Sequence, residues 1–378
     1  MAGRQDENVH TFVWTAAHVA AIEANAPTQM PRFDPVPRIL PGIDLWDHWP
    51  IIDRQGRAVD FGGRLLVIGL TAPVLADPEE RHGIARLSLL SKAEGGWLDH
   101  GHLLPDGFTL GSREWAGTAV LEADGRTLAL YYTSAGEAGE AVSSFVQRMW
   151  FAKGTLVLDE GAPCIRDWGV PQELVRPDDV VYQSDMAGGG AVGTIKAFRD
   201  PFPFIDPKSG IEYLLFTASR AGADSPWNGL VGLARRTGDA WVLMPPLVDA
   251  TGLNNELERP HIVVHDGLFH LFWSTQAKVF APDGPVGPTG LYGLVAERIT
   301  GPWRPMNGSA LVMANPGSAP FQAYSWLVLD DLSVWSFADL PGLAKPPRNS
   351  AEARMAFSGS PAPIASLSIA GDRSRVLG

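Results

Sequence analysis

Four acidic side chains in this sequence stand in company that suits them for chemistry on a sugar. Asp47 lies in Leu45-Trp46-Asp47-His48-Trp49-Pro50, a carboxylate between two indoles with a proline closing the segment. Flat apolar rings beside an acid suit the face of a sugar ring, and shelter from water suits a nucleophile. For a lone W-D-x-W, a surface turn whose tryptophans only fill the core is the plainer alternative. Asp200 lies in Phe198-Arg199-Asp200-Pro201, where an arginine precedes the acid and a proline fixes the turn. Glu256 and Glu258 lie in Asn255-Glu256-Leu257-Glu258-Arg259-Pro260, on one face of an extended segment with an arginine beside them. Retaining cleavage of a glycosidic bond needs one ionised carboxylate as nucleophile and one carboxylic acid as proton donor, roughly 5–5.5 Å apart. The donor needs a raised pKa, which burial or a close second carboxylate supplies. Each motif alone is weak, since R-D-P arises by chance and E-x-E-R is usually a solvated face.

Such groups must be brought together by elements far apart in the chain. Residues up to about 41 read as a lead-in: Thr15 to Glu23 can form one short helix capped by Thr15, and the proline-studded stretch Pro27 to Pro41 cannot continue it. After Pro50 the pattern changes to short strands in a repeated unit. One half is a turn and an alternating aromatic run ending in a small hydroxyl residue, as in Gly125 to Ser134, Gly210 to Thr217 and Gly267 to Thr275. The other half runs from a small-residue strand across a turn to a tryptophan and a Leu-rich strand. Examples are Ile84–Leu87 with Trp97 and Leu103-Leu104, Val231–Arg235 with Trp241 and Leu247-Val248, and Gly293–Ala296 with Trp303 and Leu311-Val312. Recurrence across the chain marks a repeat architecture, and four short antiparallel strands per repeat predict all-β propeller blades around a central channel. No convincing amphipathic helix follows the lead-in, so a doubly wound α/β fold is disfavoured; a β-sandwich fits the spacing less well. The whole chain, 1–378, reads as one catalytic domain. The tail from Leu340 is rich in Pro, Ala and Ser and ends in Ile364–Ile369, expected to be a last strand that closes the ring.

Composition narrows the partners. A net charge of −12 repels nucleic acid and anionic membrane alike, so a neutral small molecule is the expected ligand. Thirteen tryptophans give ample stacking surface for sugar rings. The single cysteine, Cys164, allows no intrachain disulfide, reads as structural, and requires no oxidising compartment. The polar start, Met1 to His10, has no apolar signal core and no run is long enough to span a bilayer, so the default expectation is a cytoplasmic protein.

Taken together and in order, the motifs are specific. The chain resembles glycoside hydrolase family 68, the levansucrases, inulosucrases and bacterial β-fructofuranosidases. The resemblance rests on W-D-x-W-P at Trp46–Pro50, E-W-x-G at Glu114–Gly117, F-R-D-P at Phe198–Pro201, E-x-E-R-P at Glu256–Pro260 and Gln322-Ala323-Tyr324-Ser325. It implies a five-bladed β-propeller with a funnel-shaped central site. It also implies a retaining β-fructosyl transfer from sucrose through a covalent fructosyl-enzyme, with Asp47 as nucleophile, Asp200 as transition-state stabiliser and Glu258 as general acid/base. Trp46, Trp115, Arg199, Glu256, Arg259, Gln276 and Tyr324 would line the sugar subsites. A related propeller glycosidase on another furanoside, and a sugar-binding propeller without turnover, are the alternatives; an acid and a nucleophile kept in register argue against the second.

The sequence departs from the family pattern at several places. The usual serine after Glu-Trp is Ala116, removing a hydroxyl that would help position Asp47. The usual histidine after Arg-Asp-Pro is Phe202, and the usual Phe-Glu-x-Asn strand end is Phe216-Thr217-Ala218-Ser219. Gln276 stands where an arginine or histidine commonly holds the acceptor sugar, which points to hydrolysis and transfer to short acceptors. In calcium-binding relatives an aspartate ligand precedes E-x-E-R; Asn255 is neutral, so no structural calcium, no other metal and no cofactor is expected.

Overall fold

The computed structural model describes residues 8–24, 28–184 and 195–377; the polar start up to residue 7 and Pro27 lie outside them. The chain forms five antiparallel sheets arranged as the blades of a propeller. Blade 1 comprises Ile43–Pro50, Leu65–Pro73, Arg86–Ala93 and Gly96–His102. Blade 2 runs from Arg113–Leu121 through Thr127–Ala135 to Gln147–Asp159, whose outer edge pairs with both Ala162–Arg166 and Gln172–Glu173. Blade 3 comprises Phe198–Ile205, Glu212–Ser219, Gly229–Thr237 and Ala240–Asp249. Blade 4 comprises Glu258–His265, Leu268–Thr275 and Gly290–Ala296, the last paired with Arg304–Pro305 and Leu311–Ala314. Blade 5 comprises Ala323–Val328, Ser333–Ala338, Ala365–Ala370 and Arg373–Leu377, with Ser360–Pro361 on the second strand. The repeated aromatic runs are thus the second strands of blades 2, 3 and 4. The small-residue runs are third strands, flat enough for close approach: a Cβ on Gly232 would lie 2.2 Å from the Phe216 ring.

First strands of neighbouring blades pack against one another at the centre. Each carries a β-bulge near its start, between Leu45 and His48, Trp115 and Gly117, Arg199 and Phe202, Glu258 and His261, and Tyr324 and Leu327. A bulge bends the strand and re-aims the extra side chain. In three of them a non-glycine residue takes a left-handed conformation: Asp200 (φ 60°), Arg259 (φ 51°) and Ser325 (φ 61°). Each such residue costs about 1–2 kcal/mol in isolation, so its surroundings must hold it there.

The lead-in straps the outside. Its helix, Ala16–Ala24, begins where expected, with Thr15 bonded to His18. Phe12–Val13 adds in parallel to the outer edge of blade 3, and Trp14 packs edge-on against Trp273 (5.5 Å) and Phe280 (5.5 Å) in the core between blades 3 and 4.

The C-terminal segment differs from expectation. Ala365–Ala370 is followed by a further strand, Arg373–Leu377, so blade 5 is built wholly from the chain's last part and neither strand closes the ring. Closure falls to contacts between blade 5 and blade 1. A short helix that sequence patterning missed, Ser350–Ala356, presents Arg354 to the buried Asp44 at 2.5 and 3.0 Å. Arg38 of the lead-in adds a third bond at 3.0 Å, and the Leu45 amide donates to Gly359 O at 3.0 Å. The helix did carry a local signal, Asn349 accepting from the Glu352 amide three residues on. Seven residues are too few to show a face. No helix among the described residues is long and apolar enough to cross a membrane.

Arg354→Ala should therefore loosen the ring at the charged clasp between the helix Ser350–Ala356 and Asp44. Losing these charge-assisted bonds should cost about 1.5–3 kcal/mol. In urea unfolding the midpoint should fall while the slope is unchanged; an unaltered midpoint would place closure elsewhere.

Candidate active site

The bulges bring the predicted acids to one end of the channel. Asp47 sits in the blade 1 bulge, Asp200 in that of blade 3, Glu258 immediately before that of blade 4, and Tyr324 before that of blade 5. Arg199 Nη2 donates to Glu258 Oε1 at 2.7 Å and to Glu256 Oε2 at 3.2 Å, confirming that both glutamates share one face. The Tyr324 hydroxyl donates to Glu258 Oε2. Asp200 Oδ2 accepts from the Arg259 amide at 3.2 Å and from Thr217 Oγ1 at 2.9 Å. The Arg259 side chain runs on to blade 5, donating to Ser325 Oγ at 2.9 Å, and the Ser325 hydroxyl favours the ionised form of Asp47.

Hydroxyls tie these bulges together. Thr133 Oγ1 donates to Ala116 O at 2.9 Å in its own blade and accepts from the Asp200 amide at 3.0 Å in the next. Thr217 bridges Asp200 and Leu257 O (3.0 Å) across the following seam. Ser274 accepts from the Trp326 amide at 2.9 Å across the one after that. The hydroxyl residues that end the second strands are therefore the joints between blades.

Electrostatics distinguish the acids. Burial pushes Asp200 up to about 6, against the pull of Arg199. Burial also raises Asp47, opposed by Arg259 and the Ser325 hydroxyl. Glu256 rises to about 7, chiefly through burial and the neighbouring Glu258 charge. Glu258 moves the other way. Burial would raise it, but the Arg199 guanidinium, the Tyr324 hydroxyl and a bond from Glu256 outweigh burial and hold it low. The expectation that Glu258 itself carries a raised pKa is thus overturned for the ligand-free site. Of the two glutamates, Glu256 is therefore the one that holds a proton more readily.

Other predicted lining residues are placed less openly. Trp46 is 1% exposed, covered by Arg81 at 5.3 Å and His82 at 5.8 Å, and Trp49 is 2% exposed beneath the Arg259 guanidinium at 5.4 Å. The two indoles flanking Asp47 are wall and core rather than open platforms. Trp115 donates through Nε1 to His82 O at 3.2 Å, with Arg199 6.0 Å above its ring. Gln276 is half-buried at the end of the second strand of blade 4, ahead of the short 3-10 turn Ala277–Val279. Phe202 belongs elsewhere: it lines a largely apolar cavity of about 400 Å³ at the opposite end of the channel, with Phe204, Ile52, Val120 and Leu327. Cys164 sits in an edge strand of blade 2, half-buried and away from the acids.

Several groups escaped sequence reasoning. Asp77 caps the 3-10 turn Pro78–Gly83, which carries Glu79, Arg81 and His82 to the site. Arg81 Nη1 pairs with the exposed Glu79 at 3.1 Å, while partial burial and the Arg81 charge lower His82 to about 3. Asp339, after the second strand of blade 5, is pushed up to about 6 by burial. Only the D-P-E-E-R-H charge run hinted at the first group, and such runs are usually solvated.

A propeller whose channel gathers Asp47, Asp200 and a proton-sharing glutamate pair under two arginines defines a carbohydrate-active enzyme. The pattern of the glycoside hydrolase family 68, described as levansucrase/invertase, matches residues 4–228 and 224–377, and the chain belongs to that family. Levansucrase LscA of Pseudomonas savastanoi pv. glycinea is 32% identical over 98% of this chain and 95% of its own length. The levansucrase of Erwinia amylovora is 30% identical over 98% and 95%. Among solved structures, the inulosucrase of Halalkalicoccus jeotgali bound to kestose superposes with a TM-score of 0.87, at 37% identity over 98% of this chain and 96% of that one.

The raised acid makes a prediction independent of activity. Asp200 keeps its proton to about pH 6 in the folded chain but only to about 4 when unfolded. Between those values the folded state binds more protons, so stability falls as pH rises through the window. Asp200→Asn removes the buried charge and should stabilise the fold at pH 7 by roughly 1–3 kcal/mol, with no gain below about pH 4. Thermal melts across pH measure this; equal gains at both ends would refute it.

Proposed function

We propose that the protein transfers the fructosyl unit of sucrose to water or a small sugar acceptor through an ester on Asp47. The observation that carries this reading is the convergence of Asp47, Asp200 and Glu258 through Arg199, Arg259 and Tyr324. Asp47 attacks the anomeric carbon while Glu258, drawing on the proton shared with Glu256, protonates the departing glucose oxygen. Asp200 has Oδ2 held by Thr217 and the Arg259 amide, which leaves Oδ1 for the sugar hydroxyls and sets a negative charge beside the cationic transition state. In the second step Glu258 takes a proton from the acceptor, and the ester breaks. Ala116 lacks the family's hydroxyl, but the Ser325 hydroxyl of blade 5 favours the ionised form of Asp47, which supports an intact nucleophile. Gln276, uncharged and shorter than arginine, supports hydrolysis and short-acceptor transfer over long polymer.

The sucrose reaction tests this directly. Asp47→Asn should release no glucose while remaining folded, with no loss of melting temperature, and Glu258→Ala should lower kcat by about 10²–10⁴-fold. Wild-type products should be fructose and short oligosaccharides by size exclusion; normal turnover in Asp47→Asn, or a dominant high-molecular-weight fructan, would contradict the reading.

The shared proton sets the pH profile. Activity should fall above about pH 7, where the glutamate pair loses its proton, and at low pH, where Asp47 gains one. With Gln at 256, Glu258 no longer has a like charge beside it and loses its proton sooner. The basic limb of kcat/KM should shift to lower pH in Glu256→Gln; a shift upward would reject the pairing.

A further inference from the structure

Lys196 lies two residues before the first strand of blade 3, half-buried, and its ammonium is ringed by oxygens from separate segments. Nζ donates to Asn255 Oδ1 at 2.6 Å, to Asn228 Oδ1 at 2.8 Å and to Pro226 O. None of these acceptors is a carboxylate. Three uncharged carbonyl oxygens converging from two segments, residues 226–228 and Asn255, resemble the way proteins hold a hard cation. Burial lowers the Lys196 pKa, while the nearby Glu256 charge favours its protonated form.

The ammonium also decides how both amides point. With Oδ1 turned to Lys196, Asn228 Nδ2 donates to Arg220 O at 2.7 Å and Gln183 Oε1 at 3.1 Å. Asn255 Nδ2 donates to Ile195 O at 3.0 Å and to Glu256 Oε1 at 3.2 Å. Glu256 Oε2 accepts from Arg199, which holds Glu258. The seam is tight: a Cβ on Gly229, next to Asn228, would lie 2.8 Å from the Asn255 carbonyl. A neutral side chain at 196 would leave three carbonyl oxygens facing one another, and Asn255 would be free to turn its amide away from Glu256.

We infer that Lys196 is a built-in structural cation, clasping blade 3 to the entry of blade 4 and positioning Glu256 through Asn255. The clasp stands on its own; its effect on the reaction rests on the function proposed above. Lys196 is a positioning residue and touches no reacting atom.

The test uses the full chain with Lys196→Ala, measured with and without n-propylammonium, which replaces the deleted end of the side chain, and with n-propanol as a neutral control. The variant should melt a few degrees lower, and its KM for sucrose should rise roughly tenfold with a smaller change in kcat. Saturable n-propylammonium should restore both melting temperature and KM, leave the wild type unchanged, and have no counterpart with n-propanol. Wild-type melting and KM in the variant, or losses that n-propylammonium does not reverse, would overturn the inference. If the alanine variant does not fold, Lys196→Met, which keeps the stem's bulk, goes through the same measurements with added ammonium chloride, and the same outcomes decide. Were the protein inactive on sucrose, melting alone would still decide the clasp; were it active with no cation rescue, only the clasp would fall.

Discussion

The bulge in each of the five first strands is the constraint on which the site depends. A regular strand would send alternate side chains into the seams between blades and leave none aimed along the channel. The bulge turns Asp47 and Asp200 inward and sets Glu258 and Tyr324 just before the turn. It also breaks the ladder, so backbone groups deep in the molecule need new partners. Thr133, Thr217 and Ser274 supply them by reaching from one blade to the next. The same hydroxyls that satisfy the backbone thus fix the angle between blades, and with it the separation of the acids. Left-handed Asp200, Arg259 and Ser325 are tolerated because each is held at a seam by bonds from a neighbouring blade.

Charge imposes the second constraint. Asp47, Asp200, Glu256 and Glu258 outnumber the two arginines that bond into the cluster, Arg199 and Arg259, so all four cannot ionise together cheaply. Asp200 and Glu256 absorb the imbalance by rising to about 6 and 7, while Glu258 keeps the donors. An acid that must give up a proton on demand benefits from a neighbour that stores one. The unequal pair keeps a proton beside Glu258 without setting Glu258 itself in an apolar wall.

Residue types told which acids could act, and short-range periodicity told that they sit on repeated strands, because both are local properties. The joints were half legible. Thr133, Thr217 and Ser274 were visible as hydroxyl ends of aromatic strands, but their partners belong to neighbouring blades and no local pattern names them. Thr217 in particular looked like a lost family feature, yet it holds Asp200. The direction of the Glu258 shift was misread because nearby acids alone predict a rise, whereas Arg199 and Tyr324 arrive from blades 3 and 5. Ring closure was assigned to the last strand because a terminal strand is what sequence shows; the clasp at Asp44 depends on a helix too short to display a face.

The departures from the family pattern make physical sense once sorted along the channel. Phe202 lies past the bulge, so it exchanges a polar side chain for an apolar one in the cavity at the far end, beside Phe204 and Leu327, and leaves the acids untouched. Ala116 removes a hydroxyl on the side of the acids, and there the Ser325 hydroxyl of the adjoining blade 5 favours the ionised form of Asp47. Asn255 gives up a negative charge, and its oxygen accepts from an ammonium already tethered to the chain. In the last two cases the change is offset by a group from another part of the ring. A propeller permits this because every point near its axis is within reach of several blades, so a lost contact can be replaced from a different direction without moving the carboxylates. Gln276 stands apart, half-buried just past the end of the second strand of blade 4 with no side-chain cap on the turn that follows.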